Sequence, residues 1–247
     1  WLEHLTHNQG VAGSSPSGTT LCESRCRFMQ RFLLFNRVFY CIFAVIMEKK
    51  GKICVFGASS DRLENTFTET AYELGVLMAQ RGWDCVNGAG SAGLMRAVSD
   101  GVLDNGGLVT GVIPKFMVDN GWEYDRLSEM IVTPDMHTRK EKMVELADAF
   151  IVLPGGCGTL EEVMEIYTWR QLGIINKPII LLSTVGFYKP LVEMIDRCGS
   201  LGFMQHSHTR LWKVARTPKD ALDKLERELK EGVEPVAQKR SIMNGED

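Results

Sequence analysis

Residues Pro154 to Glu162 have the types and spacing best suited to chemistry in this 247-residue chain. They read Pro-Gly-Gly-Cys-Gly-Thr-Leu-Glu-Glu. The apolar run 149–153 predicts a buried parallel strand before them, and the apolar spacing in 163–173 predicts a helix that stops at a glycine. A glycine loop between a strand and a helix turns backbone N–H groups and the positive end of the helix toward one point. The segment therefore predicts a phosphate-binding loop.

Two interpretations of Glu162 follow from the sequence. Thr159 could cap the helix, and Glu162 lies three residues later, which is the spacing of a capping box. Alternatively, a carboxylate beside a phosphate cradle could act chemically on the bound molecule. The residues alone leave both interpretations open.

A second group of charged residues lies in the segment Asp135–Lys140. Arg139 and Lys140 are two cations at the predicted start of a helix, where the helix dipole disfavours them unless an anion is present. The guanidinium fork of Arg139 suits a carboxylate or a phosphate. The alternative is an exposed charge cluster, and His137 is interpreted as a polar loop residue. Arg139 becomes a site candidate only in combination with the glycine loop.

The segment 87–93 ends the second predicted strand and fits the pattern G-x-G-x-x-G with Gly88, Gly90 and Gly93. Two observations argue against a dinucleotide site. The loop follows the second strand rather than the first, and the strand roughly 20 residues on ends in Pro114-Lys115 rather than in an acid. The glycines still imply that the backbone approaches a neighbour closely. We favour contact with a nucleotide, and tight packing within the protein is the alternative.

The first predicted strand ends in a loop of small residues, followed by Asp61. Gly57, Ser59 and Ser60 lie where the strand turns toward a helix, and the hydroxyl groups could hydrogen-bond a phosphate or a ribose. Helix capping by Ser60 or Asp61 is an equally supported alternative.

The elements that must position these loops alternate between strand-like runs and helical segments. Most strand-like runs are short, rich in Val, Ile and Leu, and without polar alternation, as expected for strands covered on both faces. This alternation predicts a doubly wound α/β sandwich, in which ligands bind outside the carboxyl ends of the strands. The predicted strands are 52–57, 84–87, 108–113, 130–133, 150–153, 178–182 and 211–215, and the predicted helices are 65–81, 93–105, 139–147, 160–172, 187–198 and 218–231.

Residues 1–46 differ in composition from the rest of the chain. They contain no lysine, four arginines and two acids, whereas 24 of the 28 basic and 29 of the 31 acidic residues lie later, which gives that part a net charge of −5. We interpret Met47 as the natural start and the preceding residues as a non-native or disordered extension. A signal sequence is the alternative, but the run 38–46 is too short to span a bilayer and no cleavage pattern follows it. The predicted domain is 47–231, with a flexible tail at 232–247.

The composition of the predicted domain excludes several function classes. Mild net acidity argues against nucleic-acid binding through a basic face. Its four cysteines are widely spaced without a Cys-x-x-Cys pair, which indicates neither a disulfide framework nor a zinc site and favours a reducing, cytoplasmic setting. Nothing after Met47 resembles a transmembrane helix, so we expect no membrane association. We also expect neither a metal nor a cofactor.

Together, these motifs resemble the Lonely Guy (LOG) family of cytokinin riboside 5′-monophosphate phosphoribohydrolases. Residues 154–162 match that family's PGGxGTxxE motif. The likeness covers about 52–225, and several motifs in the right order make it more specific than any single one. The other stretches that resemble family sequence are 88–95, 111–114, 136–140 and 168–173.

The resemblance implies a Rossmann-like fold in a single domain, usually a homodimer with active sites near the interface. It also implies hydrolysis of the N-glycosidic bond of a nucleoside 5′-monophosphate, which releases an adenine-type base and ribose 5-phosphate. By position, the catalytic pair would be Arg139 and Glu162. The residues that would bind or adjoin the substrate are Gly57, Ser59, Ser60, Gly88, Gly90, Gly93, Met136, Lys140, Gly155, Gly156, Gly158, Thr159, Glu161 and Thr168.

The chemistry expected of this pair follows from the reaction. Breaking a ribose–base bond passes through an oxocarbenium-like state that is positive at C1′. Glu162 could stabilise that charge and deprotonate the attacking water. Arg139 stays cationic at any working pH, so its expected role is electrostatic rather than that of a proton donor.

The chain departs from the family pattern at the glycine-rich loop, where Ala89 and Arg96 replace glycines, and near Gly121, where plant members have an acidic or polar contact. These differences bear on base preference, and a general nucleotide nucleosidase or a non-catalytic nucleotide sensor of the same fold remain alternatives. Many relatives are labelled lysine decarboxylases, but that chemistry needs a pyridoxal Schiff-base lysine with supporting residues. No such set is identifiable in this sequence.

Overall fold

The computed structural model describes residues 49–233. The predicted extension 1–46, and the predicted tail beyond residue 233, lie outside the described residues. Seven parallel strands form one sheet in the order β4-β3-β2-β1-β5-β6-β7. The strands are β1 (Gly51–Phe56), β2 (Trp83–Asn87), β3 (Val109–Pro114), β4 (Glu129–Thr133), β5 (Ala149–Val152), β6 (Ile179–Leu182) and β7 (Lys213–Ala215).

Within residues 49–233, seven α-helices and two 3₁₀ segments connect or flank these strands. The helices are α1 (Asn65–Gln80), α2 (Gly93–Asp104), α3 (Lys115–Asp119), α4 (Met136–Leu146), α5 (Cys157–Gln171), α6 (Lys189–Ser200) and α7 (Pro218–Glu231), and the 3₁₀ segments are Thr184–Gly186 and His206–Arg210. The predicted doubly wound parallel sheet is confirmed, as is each of the seven predicted strands.

The two faces of the sheet bury two separate apolar cores because successive side chains of a strand point to opposite sides. In β1, Ile53 and Val55 face a core that includes apolar residues of α1, α2 and α7. Cys54 and Phe56 face the other core, which includes residues of α4, α5 and α6. Burial on both faces explains why β1, β5 and β6 lack polar alternation in the sequence.

The chain reverses its direction of winding at β1. It runs from β1 through β2 and β3 to the edge strand β4, and then returns to place β5 on the other side of β1. In an open parallel sheet this switch point leaves a crevice beyond the carboxyl ends of the two central strands. The loops after β1 and β5 meet there, since the amide of Ala58 donates to the carbonyl of Pro154 at 3.0 Å.

Within residues 49–233 no helix combines the length and apolar character needed to cross a membrane.

Candidate active site

The glycine loop after β5 leads into an open helix end. Helix α5 begins at Cys157, its N-cap is Gly156, and no side chain caps it. Its first α-helical hydrogen bond runs from the amide of Leu160 to the carbonyl of Gly156, so the amides of the preceding turn have no acceptor within the helix. Gly156 and Gly158 are exposed, and a Cβ atom at either would have open space around it. An anion can therefore approach this positive helix end past Gly156 and Gly158.

The capping-box interpretation of Glu162 is wrong. Helix α5 starts three residues earlier than predicted, so Thr159 lies inside its first turn rather than at the cap position. Thr159 is buried instead, with its hydroxyl group against Gly155, where an added Cβ atom would overlap it. Glu162 therefore lies in the second turn, where it has no capping role.

Helix α4 brings Arg139 to Glu162. The helix begins at Met136 because the side chain of Asp135 accepts a hydrogen bond from the amide of Thr138 at 2.8 Å. Arg139 follows one turn later, with its Nε donating to the carbonyl of Val112 at 3.0 Å. Its Nη1 donates to Oε1 of Glu162 at 3.2 Å, and the two side chains are only 6% and 11% exposed. The exposed-cluster alternative is thus wrong for Arg139, which is part of a buried ion pair.

Burial changes the protonation behaviour of Glu162. Desolvation raises the pKa of its carboxyl group, Arg139 opposes this, and neighbouring Glu161 adds to it, with a result of about 7. The side chain can therefore exchange a proton near neutral pH, as a general base requires. The charge of Glu162 also acts on the buried thiol of Cys54 in β1, where burial, followed by this charge, raises the pKa of the thiol well above its ordinary value.

Lys140 and Glu161, both predicted to adjoin the substrate, form an ion pair with each other. The Lys140 ammonium also lies 2.8 Å from Oε2 of Glu165. Burial lowers the pKa of Lys140, but the hydrogen bonds to these two glutamates outweigh it, so the pKa lies above its ordinary value. This cation is thereby tied to α5.

Each of the three glycines in the glycine-rich loop adjoins protein atoms. A Cβ atom at Gly88 would overlap Nη2 of Arg139, and one at Gly90 would lie 2.6 Å from Cε of Met95. Gly93 has φ +62°, and a Cβ atom there would lie 2.6 Å from the carbonyl oxygen of Ala58. Protein atoms therefore approach all three glycines closely, and Gly88 makes room for the guanidinium of Arg139. Their contact with substrate stays a prediction.

The loop after β1 provides hydrogen-bond acceptors for the backbone amides at the start of helix α2. Asp61 accepts a hydrogen bond from the amide of Gly93 at 2.9 Å. The carbonyl of Ala58 accepts from the amides of Leu94 and Met95 at 2.8 and 3.4 Å. Capping by Asp61 therefore does occur, but on α2 rather than on the helix that follows it in sequence. Helices α2 and α5 thus differ, because another loop accepts hydrogen bonds from the first amides of α2, whereas the first amides of α5 have no such acceptors among the described residues.

The remaining predicted site residues have varied surroundings. Met136 lies beside the pair, with its sulfur 3.9 Å from Nη1 of Arg139. Gly57 is buried, Ser59 and Ser60 are exposed at the crevice, and the Ser60 hydroxyl accepts from the amide of Arg62 at 3.2 Å. Thr168 is exposed farther along α5, where its hydroxyl donates to the carbonyl of Met164 at 2.8 Å.

The departures from the family pattern fall around the glycine-rich loop. Ala89 is fully buried with φ +60°, a conformation that favours glycine. The Arg96 guanidinium lies 6.0 Å from the ring centre of Tyr124 and 3.5 Å from the carboxylate of Asp100. Gly121 has φ +69° and open space beside it.

Sequence reasoning missed two features of the site. The carbonyl of Val112, which orients Arg139, and Glu165, the second partner of Lys140, have no local signal because their partners are distant in sequence. Among residues 49–233, no group of three or more His, Cys, Asp or Glu side chains is arranged to hold a metal ion.

Comparisons with known proteins identify relatives over most of the chain. Residues 95–225 match the family model described as "Possible lysine decarboxylase". The chain is 42% identical over 179 residues to cytokinin riboside 5′-monophosphate phosphoribohydrolase LOG4 of Arabidopsis thaliana, covering 72% of this chain and 83% of that protein. It is 43% identical over 175 residues to the enzyme LOG of Oryza sativa subsp. japonica, covering 71% and 72%.

Solved structures share the fold. The molybdenum cofactor carrier protein of Chlamydomonas reinhardtii matches with a TM-score of 0.59 and 22% identity, over 74% of this chain and 99% of that one. The molybdenum cofactor binding protein of Rippkaea orientalis matches with a TM-score of 0.57 and 23% identity over the same shares.

The decarboxylase description implies a pyridoxal cofactor, which the residues beside the pair do not fit. A Schiff base requires a lysine that can lose its proton. Lys140, the lysine next to Arg139, is instead held as a cation by two glutamates.

Proposed function

The chain belongs to the LOG family of phosphoribohydrolases, and from this premise we propose that it hydrolyses the N-glycosidic bond of N6-substituted adenosine 5′-monophosphates. The products are the free base and ribose 5-phosphate. The observation that carries the proposal is a buried ion pair between Arg139 of α4 and Glu162 of α5, the helix whose uncapped start is open to a phosphate. A phosphate site and an acid–base group on one helix are the two parts that this reaction needs.

Glu162 is the proposed general base. As the base leaves, positive charge develops at C1′ of the ribose, and a nearby carboxylate stabilises it and accepts a proton from the attacking water. A pKa of about 7 makes the group basic enough to take that proton and ionised in a large fraction of molecules at neutral pH.

Arg139 is proposed to act electrostatically. Its guanidinium keeps its charge at any working pH, and the carbonyl of Val112 and the carboxylate of Glu162 hold it in place. It orients Glu162 and offers its remaining N–H groups to the leaving base. We propose that the open start of α5, with Gly156, Gly158 and the neighbouring loop residues, binds the 5′-phosphate and places the sugar over Glu162.

The test is incubation of the full chain with AMP and with N6-isopentenyl AMP, following free base and ribose 5-phosphate by chromatography. We expect equimolar release of both products from at least the N6-substituted substrate, and release at least about 100-fold slower by the Glu162→Gln variant. Faster turnover of AMP would assign the enzyme to general nucleotide salvage. Binding of either nucleotide without release of base would refute the hydrolase and indicate a sensor.

We further propose a cytoplasmic homodimer. Leu172 and Ile174 at the end of α5 are 61% and 63% exposed, and such apolar surface is typical of an interface. Among the described residues, Cys54, Cys85, Cys157 and Cys198 are all free thiols, which suits a reducing compartment.

A further inference from the structure

Two ion pairs lie side by side between α4 and α5. Arg139 and Lys140 are consecutive on α4, and Glu162 and Glu161, their respective partners, are consecutive on α5. Lys140 is buried, and it also reaches Glu165, one turn farther along α5. The catalytic candidates are thus flanked by a second ion pair that shares no residue with the first.

This arrangement restricts how the two helices can sit. Consecutive residues of a helix point about 100° apart, so both pairs can form together only at one rotation and one register of α4 against α5. Arg139 has a further anchor in the carbonyl of Val112, whereas Glu162 has only Arg139 as a hydrogen-bond partner among the described contacts. The position of Glu162 therefore depends on what holds α5.

We propose that Lys140 is a positioning residue for Glu162, which it serves by clamping α5 to α4 through Glu161 and Glu165 and by neutralising the charge of Glu161. It acts through these glutamates rather than by contact with the substrate. The inference rests on the proposed hydrolase function for its kinetic consequences, but the electrostatic effect on Glu162 is independent of turnover.

Four charged or titratable groups interact with Glu162 and together set its protonation state. Arg139 and Lys140 face it from α4, Glu161 is its neighbour on α5, and the buried thiol of Cys54 faces it from β1. Removing the Lys140 charge leaves Glu161 without its partner and must favour the protonated form of Glu162. Removing the Glu161 charge must favour the ionised form. The two changes therefore predict opposite shifts.

The experiment compares Lys140→Met, Glu161→Gln and, as a control, Lys142→Met, whose lysine forms an ion pair with Glu145 of the same helix. Two readouts are followed against pH: kcat/KM for N6-isopentenyl AMP, and the ¹³C chemical shift of the Glu162 carboxyl group, assigned by its loss in Glu162→Gln. Both pH profiles should have their midpoint at the pKa of Glu162. We expect this midpoint to rise by about one pH unit in Lys140→Met, to fall in Glu161→Gln and to stay unchanged in Lys142→Met.

At pH 7 we expect Lys140→Met to lose roughly tenfold in kcat with little change in KM, and Lys140→Arg to recover most of it. Unchanged midpoints in both variants would overturn the proposal, as would a rise in KM alone, which would indicate direct contact with the phosphate. Glu161 is 55% exposed, so Glu161→Gln keeps the test available if Lys140→Met does not fold. If the wild-type protein releases no base, the proposed function fails while the ¹³C titration still decides the role of Lys140.

Discussion

At the scale of single residues, the two members of the buried pair are unequal. Arg139 cannot lose its charge, whereas Glu162 can gain a proton near neutral pH. The pair therefore has a fixed cation and a titratable anion. This asymmetry is our reason for proposing electrostatic stabilisation by Arg139 and proton transfer by Glu162, since geometry alone would not distinguish the two roles.

Replacing Glu162 separates catalysis from structure. We expect Glu162→Gln to lose between 10² and 10⁴ in kcat, because an amide cannot accept the proton (the range typical for loss of acid–base catalysis, to order of magnitude). The amide oxygen can still accept from Arg139, so stability should change little below pH 4.5, where the Glu162 carboxyl group of wild type is also neutral. Glu162→Ala leaves the buried guanidinium without its anion and should lower the free energy of unfolding by about 3 kcal/mol relative to wild type. Urea titrations of both variants, beside steady-state kinetics, check this.

The pH dependence of stability provides a separate test of Glu162. A carboxyl group with a pKa of about 7 in the folded protein and an ordinary value near 4.5 in the unfolded chain makes folding less favourable as it ionises. This penalty is absent below pH 4.5 and complete above pH 7, where it amounts to about 3 kcal/mol. We expect the stability of wild type relative to Glu162→Gln to fall across this range. A flat difference between the two unfolding curves would contradict the raised pKa.

At the scale of elements, the glycine-rich loop after β2 packs against the guanidinium of Arg139, where Gly88 leaves room for it. We expect Gly88→Ala to lower kcat/KM at least tenfold, because its methyl group would push the guanidinium away from Glu162. Gly90→Ala is the matched control, since its methyl group meets only the flexible end of Met95. Equal effects of the two substitutions on kcat/KM would argue against this role of Gly88.

The contact between the β1 loop and α2 predicts a difference in stability between two glycines. Gly93 and Gly106 both have positive φ, but a Cβ atom at Gly93 would meet the backbone of Ala58 and Ser60, whereas one at Gly106 has open space. Gly106→Ala should lower the free energy of unfolding by about 1 kcal/mol from the backbone conformation alone. Gly93→Ala should lower it by at least about 3 kcal/mol, because the clash adds to that penalty. Chemical denaturation measures both.

The sequence predicted the strands better than the starts of the helices. All seven strands were predicted, and β1, β5 and β6 were the clearest because burial on both faces leaves continuous apolar runs. Helices α4 and α5 begin three residues earlier than predicted, since their starts depend on the Asp135 cap and on the bend of the glycine loop rather than on apolar spacing. Helix α3 has five residues, too few for a periodic pattern, and was not predicted.

The sequence predicted the site residues that belong to recognisable motifs. It did not predict the pairs that form between distant parts of the chain. Glu162 and Arg139 were identified through motif resemblance, and the structure brings them to 3.2 Å. The clamp by Lys140 and the capping of α2 by Asp61 involve partners more than 20 residues apart. No local signal encodes such pairs, so only the folded arrangement reveals them.

At the scale of the whole molecule, the proposed homodimer is measurable directly. We expect light scattering after gel filtration to give a mass of about 55 kDa, twice the 27.7 kDa of one chain. The Leu172→Asp and Ile174→Asp double variant should shift the mass to that of one chain, because two charges would then lie in the apolar contact. A wild-type mass of one chain would remove the dimer from the proposal.

The hydrogen bond between Asp61 and the start of helix α2 has a consequence for the ligands that the molecule can bind. Asp61 is tethered beside the amide of Gly93, so it competes for that hydrogen bond at an effective concentration of order millimolar or higher. A free phosphate or a second phosphate group must outcompete this built-in carboxylate, whereas the start of α5 has no such internal competitor. We therefore expect the chain to bind mononucleotides more tightly than dinucleotides, because one of its own side chains already occupies the start of α2.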